Sequence, residues 1–133
     1  MTPALFCILL AAVLPLVCAG LSKWRGFGVS HRDGGYDNRN PREWIARQDD
    51  FAKWAHAAQE NSWEAFPFFA AAVIVSHLLG VTGWLPNALA VLFIALRSVY
   101  VWLYVSGRQK WRSRVWALAW LTNVVIFLLP LAR

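Results

Sequence analysis

AHAAQENSWEAFPFF, residues 55–69, decides the reading of the whole chain. It is apolar enough to be a buried helix, yet it carries Glu60, Asn61 and Glu64. Pro67 follows just where the stretch turns continuously hydrophobic. Two carboxylates and an amide leading into a greasy segment need partners, because a carboxylate facing lipid costs about 2.5–3.5 kcal/mol even on the mildest insertion scale.

The surroundings make lipid the relevant solvent. The 133 residues are 59% hydrophobic and include nine Trp. Soluble helical domains alternate an apolar stripe with polar residues opposite, and three segments here do not. Thr2–Ser22 and Val115–Ala132 carry no charge, and Trp84–Leu96 is charge-free with the apolar run continuing past Arg97 to Val105. Each reaches the ~20 residues that cross a ~30 Å hydrocarbon core. A fourth run, Ala65–Leu79, becomes long enough if its helix extends back through the quoted stretch to about Phe51. The fold class expected is all-α, an integral membrane four-helix bundle in one domain, 1–133. The spans expected are 3–21, 51–79, 84–105 and 113–132, with polar loops at 22–50 and 106–112. Residues 1–22 contain no Lys or Arg, and Lys23 and Arg25 follow at once. The first segment therefore reads as an anchor rather than a cleaved leader.

Cation placement sets the orientation. Six of the thirteen basic residues lie in 23–47 and four in 108–114, whereas the GVTG connection at 80–83 has none. Both basic loops fall on one side of a four-span bundle, which makes that side cytoplasmic and puts both termini outside. The same placement argues against nucleic acid as the target of the +6 charge and for affinity to anionic membrane lipids. Cys7 and Cys18 share a helix face but stand ~16 Å apart along it, too far to pair; they read as small apolar fillers. His56 and His77, ~31 Å apart on one helix, cannot share a metal, and no Cys/His cluster has metal-ligand spacing.

On a helical wheel Lys53, Glu60, Glu64 and Ala71 fall within ~40°, with His56 and Pro67 beside them and Asn61 on the flank. That stripe must face the bundle interior or a subunit interface. Arg97, Tyr100, Tyr104 and Arg108, spaced i, i+3, i+7 and i+11, form a donor-rich face on the third helix, and Arg97 is expected to pair with Glu64 or Glu60. Arg112 opens the fourth helix. Donors at one end with acceptors beside them suit a zwitterionic, peptide-like ligand.

These residues resemble the MAPEG family, the membrane-associated proteins of eicosanoid and glutathione metabolism. QENSWEAFP is similar to the family's second-helix signature, with Asn61, Glu64 and Pro67 in place. RSVYVWLY is similar to its third-helix signature, through Arg97, Tyr100 and Tyr104. Arg112 matches the arginine that opens the fourth helix, and YDNRNPRE followed by the quoted stretch looks like the bacterial branch. The resemblance implies a homotrimer with glutathione between neighbouring subunits and Arg112 as the catalytic residue stabilising its thiolate. Lys53, His56, Glu60, Asn61, Glu64, Arg97, Tyr100, Tyr104 and Arg108 would bind it. It implies a transferase or peroxidase acting on a lipophilic small molecule, in a bacterial inner membrane with periplasmic termini. Ala57 departs from the pattern, standing where active members carry an arginine four residues before the Asn. That departure keeps a non-catalytic protein binding a lipid or a partner protein as the alternative. A proton-coupled exporter is disfavoured, since the first helix carries no Glu.

Reporter fusions test the orientation: signals at Gly34 and Gly107 should be cytoplasmic and one after Arg133 periplasmic. Opposite signals from the two basic loops would break the four-span arrangement.

Overall fold

In a computed structural model, residues 1–132 are described, and they are helical with no strand among them. Helix α1 spans Pro3–Lys23, α2 Pro41–Ala46, α3 Asp50–Leu78, α4 Trp84–Val105 and α5 Gln109–Leu128, the last running into a 3₁₀ turn at Leu129–Ala132. By length and composition three segments can cross a membrane: Pro3–Gly26, Trp84–Val105 and Gln109–Ala132. The helix containing the quoted stretch, α3, is not among them. It is 29 residues long and continuous through Pro67, but Lys53, Glu60 and Glu64 make its first half amphipathic.

What draws α3 into the apolar bundle is small side chains. The buried face of α1 reads Ala4, Cys7, Ala11, Pro15, Cys18, Ser22, a three-and-four spacing. The buried face of α3 reads Ala52, Ala55, Ala58, Ser62, Phe69, Ala72, Val73, Ser76. Small residues let two helix backbones approach closely, so dispersion contacts replace the hydrophobic drive that lipid does not supply. The α1–α3 pairing is the most extensive in the molecule. Cys7 and Cys18 are free and buried in it, in keeping with their reading as fillers. Phe69 and Phe93 stack at 4.1 Å between ring centroids and fill the centre between α3 and α4.

The helix ends are made by glycine. Gly80 and Gly107 have φ of +78° and +69°, and each follows the last residue of its helix cap. Behind them run the paired bonds of a Schellman motif: Gly80 N to His77 O and Val81 N to Ser76 O, and Gly107 N to Tyr104 O and Arg108 N to Leu103 O. At the Gly80 end the Thr2 hydroxyl meets His77 Nε2 at 2.8 Å, and Asn87 Oδ1 accepts from the Ala4 amide at 3.0 Å, tying α1 to α3 and α4.

One boundary differs clearly from the sequence reading. Helix α5 starts at Gln109, not at 113. Cations in a first turn oppose the helix dipole, which is why Arg108–Arg112 reads as a loop. Here each arginine lies on an aromatic ring instead: Arg108 over Trp102, Arg112 over Tyr104 and Arg114 over Trp111. The long 22–50 connection is folded by local contacts. Trp44 donates its indole N–H to Gly34 O and packs edge-on against Tyr36, and Lys23 lies 4.8 Å from the Tyr36 ring. Arg25 pairs with Asp49, the N-cap of α3. The Arg39 amide, 2.8 Å from Asp37 Oδ1, holds that carboxyl below its ordinary pKa.

Candidate functional site

The small-residue face of α3 carries two buried serines, Ser62 and Ser76, and Ser62 is the one that meets a cation. Ser62, 3% exposed, donates its hydroxyl to Ala58 O at 2.7 Å and accepts from Arg97 Nη2 at 3.2 Å. From there a continuous ladder climbs α4. The Arg97 guanidinium, also 3% exposed, lies 4.4 Å from the Tyr100 ring centroid. Tyr100 and Tyr104 meet edge to face at 5.6 Å. Arg112 closes the ladder, 4.1 Å from the Tyr104 ring. Two cations and two phenols are thereby held in one line across α4 and the first turn of α5, each cation on the electron-rich face of a ring.

The expected pairing of Arg97 with Glu64 or Glu60 is not formed; among the described residues no ion pair within 4.0 Å includes Arg97. The reason is angular. Glu64 stands two residues beyond Ser62, ~200° round the helix, so a guanidinium seated on Ser62 does not meet that carboxylate. Asn61 Nδ2 lies 3.4 Å from Glu64 Oε2. Glu60 is contacted instead by His56, at 3.6 Å.

Of the two orientations open to the α3 stripe, the single chain leaves only the outward one. Lys53, Glu60, Glu64, Pro67 and Ala71 are all exposed. Arg108 also leaves the expected constellation. The turn at Gly107 takes it off the helical register of α4, and it lies 4.9 Å from the ring of Trp102, on the side of α4 away from Tyr100. The structure thus brings together Asn61, Glu64, Arg97, Tyr100, Tyr104 and Arg112. It sets His56 and Glu60 as a separate pair one turn nearer the start of α3, and leaves Lys53 and Arg108 outside.

Beside the ladder, between α3, α4 and α5, lies a cavity of about 220 Å³. Asn61, Glu64, Arg97 and Asn123 supply its polar atoms, and Phe68, Phe93, Trp116 and Trp120 its apolar walls. Ser62 and Asn123 are the polar residues that sequence reasoning missed. Asn123 had a signal, an amide inside a charge-free apolar run. Ser62 had none beyond its place in a small-residue stripe.

A family model, MAPEG family, matches residues 3–132. The chain belongs to the MAPEG family. No curated protein and no solved structure matches it. As a MAPEG protein it is an integral membrane protein, and its family includes glutathione-dependent transferases and peroxidases as well as non-catalytic members. In this MAPEG chain the signature residues Asn61, Glu64, Arg97, Tyr100, Tyr104 and Arg112 are the ones gathered around the ladder and its cavity.

Ser62 is the hinge of that arrangement. Ser62→Ala keeps the small-residue packing but removes the one hydrogen-bond acceptor of a buried guanidinium, which should cost about 1–3 kcal/mol. Thermal unfolding followed with a thiol-reactive dye, reporting exposure of Cys7 and Cys18, should show a lower midpoint. An unchanged midpoint would mean that Arg97 is held by something other than Ser62.

Proposed function

We propose that this protein is a glutathione-dependent membrane enzyme, a transferase or peroxidase toward lipophilic electrophiles, working as a homotrimer in a bacterial inner membrane. In this reading α3 is a fourth span, both basic connections face the cytoplasm, and both termini are periplasmic. The observation that carries the proposal is the ladder Arg97–Tyr100–Tyr104–Arg112 with the Asn61–Glu64 pair beside it. Asn61 and Glu64 line one cavity with Arg97, so acceptors and a donor stand near one another, as a zwitterionic tripeptide requires.

The roles follow from placement. Glutathione supplies a thiol, which is a weak nucleophile at neutral pH with its pKa of ~8.5; a cation beside the sulfur stabilises the thiolate. Arg112 fills that role, since it opens α5 at the basic end and its guanidinium is half-buried on Tyr104. Tyr100 and Tyr104 orient the peptide, and Asn61 and Glu64 receive its amine and amide groups. Arg97 is a positioning residue, packed under Tyr100. His56 and Glu60 extend the acceptor wall, and Lys53 and Arg108, which the single chain sets outside the ladder, would join the site only through a neighbouring copy. Carboxylates at Glu60 and Glu64 on the outer side of one chain call for a neighbouring copy to cover them, since lipid would not.

A second reading, a non-catalytic membrane protein that binds a lipid or a partner protein, is favoured by Ala57. It places no cation where active members carry an arginine, and Lys53 would offer a point charge in place of a bidentate fork.

Calorimetry with glutathione and ultraviolet thiolate absorbance separate the two. The wild-type protein should bind glutathione and show thiolate at neutral pH. Arg112→Ala should keep most of the affinity and lose the thiolate signal, each unit of thiol pKa costing about tenfold in thiolate and so in turnover. Binding without any thiolate in the wild type would remove the enzymatic reading.

A further inference from the structure

The connection between α4 and α5 carries cations that nothing in its own segment neutralises. Arg108, Lys110, Arg112 and Arg114 stand there, and none of the seven acids lies beyond Glu64. Among the described residues no ion pair within 4.0 Å includes any of the four. The other basic connection, 22–50, is different. It sets Asp33, Asp37, Glu43, Asp49 and Asp50 against its six cations. Arg25 pairs with Asp49 and Arg47 with Glu43. One connection is therefore neutralised largely from within and the other is not. Arg112 belongs to the ladder. Arg108 and Arg114 rest on Trp102 and Trp111, and a ring face steadies a guanidinium without cancelling its charge.

The flanks fix where this connection lies. Trp84–Val105 and Gln109–Ala132 are both long and apolar enough to cross a membrane, so the turn between them stands at a membrane face, level with the lipid headgroups. A recess of about 450 Å³ opens there, lined by Gly107, Arg108, Gln109, Lys110 and Trp111. A Cβ at Gly107 would come within 3.1 Å of the Trp54 ring, so the turn is seated on α3. Leading away from it along α4, Ala95, Val99 and Trp102 are exposed at spacings of four and three, one apolar stripe. Trp102 and Trp111 are 52% and 58% exposed, as tryptophans of the membrane–water boundary are.

We infer that this recess binds the phosphodiester headgroup of an anionic membrane phospholipid, with Arg108 and Lys110 on the phosphate and an acyl chain along Ala95, Val99 and Trp102. Phosphate oxygens only accept, and the guanidinium, the ammonium and the Gln109 amide all donate. The lipid has to be net negative, because a zwitterionic headgroup brings its own ammonium into a recess whose cations are already uncompensated. A soluble anion would match the cations but not the apolar stripe that runs from them. The site lies outside the ladder and gives a partner to Arg108, which the ladder leaves out. It does not depend on whether the protein uses glutathione, and it assigns lipid binding to the shorter basic connection rather than to both.

Lipid retention tests it without any catalysis. The full chain is released from nanodiscs holding phosphatidylglycerol and phosphatidylcholine in equal amounts, and native mass spectrometry counts the lipids that stay bound per chain. The wild type should retain phosphatidylglycerol in preference. Arg108→Gln and Lys110→Gln should each weaken that retention about fivefold, the value of one cation at an anionic surface, and Lys110→Arg should keep it. Arg32→Gln and Arg39→Gln, in the connection that has its own acids, should leave it unchanged. All four positions are exposed, so the variants should melt with the wild type. A wild type with no headgroup preference overturns the site. So does an equal loss in the Arg32 and Arg39 variants, which would mark a diffuse attraction of positive charge. Displacement of the lipid by inorganic phosphate overturns it too, since that would mark a site for a free anion.

Discussion

The close approach of α1 and α3 is the constraint on which the site depends. Without Ala, Cys and Ser along the facing stripes, the two backbones would stand further apart. Ser62 would then not reach the guanidinium rising from α4. Because Ser62 sits in that stripe, Arg97 is drawn inward and laid against Tyr100, and the ring-on-cation contacts carry the order outward to Tyr104 and Arg112. The polar ladder is thus a consequence of packing small residues, and it stands in an environment where lipid supplies no hydrogen bonds.

The same geometry turns the carboxylates the other way. With Ser62 facing in, Glu60 and Glu64 face out, so the acceptor wall lies on the surface of the single chain. A buried cation with one neutral hydrogen-bond partner and an exposed acid a turn away form an incomplete arrangement, and a second copy of the chain is the simplest way to complete it. The proposed ligand site and the proposed assembly are in this sense one inference, since a peptide ligand would lie between the outward wall and whatever covers it.

Much of this was legible in the sequence, for physical reasons. Charge-free runs of membrane length mark α1, α4 and α5, and glycines mark the ends of α3 and α4 where a left-handed residue is needed. The Asn61–Glu64 and Arg97–Tyr100–Tyr104 spacings mark two polar faces. A helical wheel, however, describes one helix at a time. It places Glu64 and Arg97 on polar faces and is silent on which atom of the neighbour each meets, so Ser62 went unseen and an ion pair was expected in its place. The start of α5 was hidden by its cations, which argue against a helix N-terminus until each is seen on an aromatic ring. Arg108 shared a face with Tyr104 only on the assumption that α4 continues, and Gly107 ends it. Asn123 was visible as a letter but not as an unpaired group, because pairing is a property of the assembled bundle.

The central claim is that the outward polar wall of α3 is covered by further copies of the same chain. Native mass spectrometry of the protein released from nanodiscs or mild detergent tests it most directly. The account predicts a species of three chains that survives release. A stable monomer as the sole species would contradict it, leaving Glu60 and Glu64 facing lipid with no neighbour to meet them.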